Sequence, residues 1–85
     1  MKNEWMITFR SVTYAQRGER ALRSNRIACQ IQRTPKHLTE RGCGYCLRLQ
    51  STDMPAALRI IRREKLPYEK LYAIKADGST EEQML

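Results

Sequence analysis

The residues best suited to chemistry in this chain run from Arg41 to Leu49, Arg41-Gly42-Cys43-Gly44-Tyr45-Cys46-Leu47-Arg48-Leu49, where a thiol stands between two glycines with a cation just before them. A cysteine attacks only as its thiolate, and nearby cations or backbone N–H groups lower its pKa from an ordinary value of about 8.5. Arg41 can supply the charge, and the flanking glycines leave the sulfur unobstructed and accept backbone conformations that other residues resist. Cys43 is therefore the candidate reactive thiol. The competing reading is packing, because an unpaired cysteine often behaves as a small buried hydrophobe. Cys43-x-x-Cys46 also reads as half of a zinc site, with Cys29 and His37 as further ligands. In a regular strand residues three apart point to opposite faces, so that reading requires Cys43 to stay in a loop. His37 by itself reads as a solvated loop residue, and no metal is expected. The chain shows no paired-carboxylate site, nucleophilic triad or Gly-rich phosphate loop. It is expected to be no stand-alone enzyme and to hold no resident cofactor.

The elements around this stretch must fit into 85 residues, enough for one domain with a modest core. Hydrophobic residues make up 41% and charged residues 29%, the balance of a globular protein. No apolar run approaches the roughly 20 residues that span a bilayer, and the start Met1-Lys2-Asn3-Glu4-Trp5 lacks the apolar core of an export signal. A cytoplasmic protein with no membrane association is expected, and three cysteines, an odd number, then read as reduced thiols and not as a disulfide scaffold. The net charge of +7 suits a nucleic acid or an acidic protein surface. Arginine carries most of it, at Arg17, Arg20, Arg23 and Arg26 and again at Arg59, Arg62 and Arg63; these also read as the solvated faces of two helices.

Trp5, Ile7 and Phe9 alternate with Glu4, Met6 and Thr8, the period of a half-buried first strand. Ser11 or Thr13 can cap a helix with Val12, Ala15, Ala21 and Leu22 on one side, ending near Ser24-Asn25. Ile27, Cys29 and Ile31 form the inward face of a second strand, which puts Cys29 in the core. Pro35 and the polar residues up to Gly42 make a loop. The third strand turns Tyr45, Leu47 and Leu49 one way and Gly44, Cys46 and Arg48 the other. Asp53 and Pro55 start a second helix with Ala57, Leu58 and Ile61 on its apolar side. Pro67 closes it, Tyr68 to Lys75 is the fourth strand, and residues 77–85 read as a flexible tail after a single domain at 1–76. The order β-α-β-β-α-β predicts an α+β, ferredoxin-like fold: a four-stranded antiparallel sheet with both helices on one face. The other face, with Met6, Thr8, Gln30, Gln32, Cys46 and Arg48, is left for solvent, a ligand or a homodimer partner.

This fold hosts many activities. The RNA-recognition signature of its third strand is matched by Arg41, Gly42 and Gly44, with Tyr45 an aromatic at the fifth place. Cys43 and Arg48 stand where that module needs rings for stacking bases, so a nucleic-acid partner is disfavoured.

Ile7-Thr8-Phe9 followed by a serine and a helix, Thr34-Pro35-Lys36 after the second strand, and Cys43-Gly44 running into Leu47-Arg48 resemble the small bacterial selenium/sulfur (Se/S) carrier protein-like family across roughly residues 5 to 75. Cys43 falls on the characteristic cysteine of that family and Gly44 on the glycine after it; Gly42 replaces the more usual serine, and Cys46 stands where alanine is common. The resemblance implies a protein that carries sulfur or selenium on Cys43 as a persulfide or perselenide. Lys36, Arg41 and Arg48, with Gly42 and Gly44, would form the binding surroundings. It also implies a donor such as a cysteine desulfurase and an acceptor protein. The other expectation is a non-catalytic interaction module in which Cys43 only packs.

Overall fold

The computed structural model of the chain describes residues 4–38 and 44–83. Strand β1 (Glu4–Phe9) leads into helix α1 (Val12–Ser24), strand β2 (Cys29–Arg33) and a short 3-10 turn at Lys36–Leu38. Strand β3 (Tyr45–Gln50), a 3-10 turn at Ser51–Asp53, helix α2 (Met54–Glu64), strand β4 (Tyr68–Ile74) and strand β5 (Thr80–Gln83) complete the chain.

The sheet has five strands in the order β2-β3-β1-β4-β5, every neighbouring pair antiparallel. The expected α+β class holds, but the four-stranded sheet is corrected: Thr80–Gln83 is a fifth strand built from residues read as tail. Its pairing is local. Lys75 N–H donates to Ser79 O and Gly78 N–H to Lys75 O, at 2.8 and 2.9 Å, while Asp77 accepts from the backbone and hydroxyl of Ser79. Gly78, at a φ of 89°, supplies the left-handed residue that this turn requires.

Both helices cover one face of the sheet. Ile7, Phe9, Cys29, Leu47, Leu49 and Leu71 project into a core closed by Ala15 and Leu22 of α1 and by Met54, Ala57, Ile60 and Ile61 of α2. Each fully buried aliphatic or aromatic side chain contributes about 1.5–3 kcal/mol to this layer. The Gly18 backbone of α1 lies so close to the sheet that a Cβ there would stand 2.9 Å from the Phe9 ring and 3.1 Å from Leu47. The glycine sets the height of the helix above the residues of β1 and β3.

Helix ends follow the sequence in part. Ser11 caps α1, its hydroxyl accepting from Tyr14 N–H at 3.3 Å. The left-handed residue after α1 is Arg26, at φ 63°, and not Asn25, whose side chain instead donates to Ala21 O. Asp53 precedes α2 but makes no capping hydrogen bond. Lys65, at φ 53°, ends α2 two residues before Pro67 and lets Leu66 N–H return to Ile61 O.

The face away from the helices is not open throughout. Met6, Cys46 and Tyr72 are buried there, with Ile74 and with Leu38 from the Lys36–Leu38 turn packed against them. Apolar contact with its own turn therefore covers part of the surface left open in the sequence reading. On the same face the Thr8 hydroxyl accepts from Lys70 N–H at 3.0 Å, next to the point between Ile7 and Phe9 where the β1–β4 register shifts. A side-chain oxygen thus satisfies a donor that the ladder leaves at the irregularity.

Candidate functional site

Arg41, Gly42 and Cys43 lie outside the described residues; the site is therefore built from what surrounds them. Two strands define its base. Arg33 at the end of β2 pairs with Tyr45 at the start of β3, and Thr34 N–H donates to Gly44 O at 3.0 Å, closing the connection between the strands. Gly44 is buried and has a φ of 153°, a conformation that L side chains rarely adopt. Phe9 O and Thr34 Oγ1 would be 3.5 Å from a Cβ at Gly44, so the backbone conformation, and not lack of room, is what calls for glycine. Lys36 belongs to the same connection and is exposed.

This end of the sheet also carries the start of α1. Phe9, opposite Tyr45, is followed within three residues by the first turn of the helix, capped by Ser11. Val12 and Tyr14 of that turn are the large hydrophobic residues that stand exposed among the described residues.

Arg48 is placed differently. It lies four residues along β3 from Gly44, about 13 Å at the rise of an extended strand. Its guanidinium donates from Nη2 to Glu4 at the far end of β1, and the buried Nε has no hydrogen-bond partner among the described residues. Lys36 and Gly44 thus share one end of the sheet, while Arg48 is committed to a carboxylate toward the other. Sequence periodicity put Arg48 on the correct face; its ion pair follows from the register, with Arg48 opposite Met6 and Glu4 opposite Gln50.

The two described thiols are both sealed. Cys29 is buried in the core under the helices, where burial raises its pKa; Arg23 opposes the shift and Glu19 adds to it. Arg23 also ties α1 to this strand by donating to Cys29 O at 2.6 Å. Cys46 is fully buried on the other face, its thiol 3.6 Å from the Met6 sulfur. Burial raises the Cys46 pKa as well, against the opposite pull of the Gln32 and Thr34 side chains and of Arg48. Thr34 Oγ1, buried beside Gly44, has no hydrogen bond of ordinary geometry among the described residues. The structure thus confirms the core assignment of Cys29.

The same placement removes one zinc arrangement. Cys29 and Cys46 occupy opposite faces of the sheet, so they cannot converge on one ion. His37 is exposed, and no cluster of three or more His, Cys, Asp or Glu side chains suited to a metal occurs among the described residues. Stacking platforms are equally missing from the described part of the β1 and β3 outer face, where Met6, Thr8, Cys46 and Arg48 project. No helix among the described residues is long and apolar enough to cross a membrane.

Among known proteins, no curated sequence and no solved structure matches the chain significantly. Residues 4–73, which run from the start of β1 almost to the end of β4 and include both helices, match the family described as "Putative Se/S carrier protein-like". That span is most of the chain, and the chain belongs to this family.

Proposed function

We propose that the protein is a carrier of sulfur or selenium that holds the atom on Cys43 and passes it between proteins. The observation that carries this reading is the fate of the other thiols: Cys29 and Cys46 are buried with raised pKa values, which leaves them poor nucleophiles. Of the three cysteines, Cys43 is the one left to act, and family membership supports sulfur or selenium as the cargo.

The chemistry is a thiol exchange. The Cys43 thiolate attacks the terminal sulfur of a persulfide on a donor enzyme such as a cysteine desulfurase. A bond forms between Cys43 Sγ and that sulfur, the donor S–S bond breaks, and the donor cysteine departs as thiolate. The product is a persulfide on Cys43, and no net oxidation has occurred. An acceptor nucleophile then takes the terminal sulfur and releases the Cys43 thiolate; a perselenide follows the same steps. The transferred atom is cargo, and no resident cofactor is needed. Arg41 and Lys36 supply positive charge for the thiolate and persulfide anions, and the N-terminal end of α1 adds a partial positive charge at this end of the sheet. Gly42 and Gly44, its neighbours in the sequence, place no side chain next to Cys43. We assign no direct contact to Arg48, whose charge is engaged by Glu4.

Intact-mass measurement after incubation with a cysteine desulfurase and cysteine tests the reading. Wild type, Cys29→Ala and Cys46→Ala should each gain one sulfur, and Cys43→Ala should gain none. No gain in wild type under conditions that load a known carrier, or a gain retained in Cys43→Ala, would overturn it in favour of an interaction module.

A further inference from the structure

The net positive charge of this protein resides in one layer. Segments 10–26 and 54–65, which contain the two helices with the turns that enter and leave them, hold nine of the 16 Lys and Arg residues and two of the nine acidic ones. They account for the full net charge of +7, and the rest of the chain is balanced at seven of each sign. All nine cations are exposed. On the sheet, Arg48, Lys70 and Lys75 each face a carboxylate, of Glu4, Glu82 and Glu81. In the helix layer, Arg23 and Arg63 have acidic partners, whereas Arg17, Arg20, Arg59 and Arg62 form no ion pair among the described residues.

A face that only needs solvation mixes signs, because Glu four residues before Lys or Arg supports a helix and like charges three or four apart weaken it. Arg17, Arg20 and Arg23 follow one another at intervals of three, and on α2 Arg59 stands three residues before Arg62 and four before Arg63. Eight of the nine cations are arginine. Arginine is enriched at protein interfaces, where lysine is depleted, since its planar fork meets carboxylates in pairs of hydrogen bonds.

We infer that the exposed surface of α1 and α2 is a docking face for an acidic protein surface. The partner's role rests on the carrier reading above: it is the enzyme that donates, or the protein that accepts, the carried atom. A nucleic acid suits this face less well. Tyr14 is the one aromatic residue in the two segments, so a row of rings for stacking single-stranded bases is missing. Both helices lie against the sheet through a shared core and do not project as a groove-reading helix must.

The test measures docking without sulfur transfer. In a Cys43→Ser background, the dissociation constant for an acidic cysteine desulfurase is measured by fluorescence anisotropy. The comparison is with a variant in which Arg17, Arg20, Arg59 and Arg62 are replaced by Gln, and a second in which they are replaced by Glu. The Gln variant, which relieves repulsion within the helices, should stay folded. Its affinity should fall at least about tenfold at low salt, and raising the salt should weaken wild-type binding to a similar extent. An unchanged affinity in the Gln variant, no binding by the native surface, or tighter binding to a single-stranded RNA than to the desulfurase at physiological salt would overturn the inference. Loading of Cys43 by inorganic polysulfide needs no docking partner. If that loading fails while the Arg variants still lose affinity, the docking face stands and the carrier reading falls.

Discussion

Burial holds the thiols of Cys29 and Cys46 protonated, one on each side of the sheet, and both chemical and thermodynamic consequences follow. Iodoacetamide acting on the native protein should label Cys43 and leave the other two until denaturant is added, as peptide mass mapping would show; native labelling of Cys46 would contradict its full burial on the outer face of the sheet. The pH dependence has a definite sign. Both thiols have pKa values raised by folding, so above about pH 8.5 the unfolded chain has lost protons that the folded chain keeps, and stability falls as pH rises. Urea midpoints should decline from that pH upward, and less steeply in a Cys29→Ala/Cys46→Ala variant. Gly44 poses the other test at this scale. With a φ of 153° and room for a methyl group, Gly44→Ala should lower stability by about 1–3 kcal/mol through backbone strain alone. A stability equal to wild type would mean that this backbone relaxes freely.

At the scale of elements, β5 decides what the sequence could and could not reveal. β1 was legible because one side of it is buried in the core and alternation records that. Thr80-Glu81-Glu82-Gln83 carries no such record: it is an edge strand paired on one side, its residues exposed or half-buried. The available signal was Asp77-Gly78, a turn dipeptide that promises a hairpin only if a strand follows. The Arg48–Glu4 pair was hidden for a related reason, since it depends on the register between strands that are distant in sequence. At the candidate site, Cys29 could be placed by alternation and Gly44 singled out by type, but the packing of Leu38 against the cluster of Met6, Cys46 and Tyr72 depends on where the Lys36–Leu38 turn folds back. Truncation after Ala76 measures what β5 adds. The core beneath the helices draws nothing from residues 77–83, so the shortened chain should still unfold cooperatively, with a loss of about 1–2 kcal/mol as a few ladder hydrogen bonds go and the entropy of ordering the strand is regained. Loss of cooperative unfolding would make β5 integral to the domain.

For the whole molecule, segregated charge sets two effects of salt against each other. The sheet side holds exposed pairs, Lys70 with Glu82 at 3.9 Å and Lys75 with Glu81 at 2.9 Å, and screening weakens them. Such solvent-exposed pairs contribute little and often nothing measurable. The helix side holds nine cations against two acids on a molecule whose Cα radius of gyration is 11.8 Å, so many of the repelling charges lie within one or two screening lengths of each other at low salt. Their repulsion acts on the folded state more than on the expanded unfolded chain, and it is summed over many pairs. Repulsion should win. The urea midpoint should therefore rise as sodium chloride is increased from about 0.01 to 0.2 M, over which the screening length falls from about 30 Å to below 10 Å. Replacing Arg17, Arg20, Arg59 and Arg62 by Gln should raise the low-salt midpoint and flatten the dependence. A midpoint that falls with salt in the wild type would show that the sheet pairs outweigh the helix layer, and that the arginines stand far enough apart to cost the fold nothing.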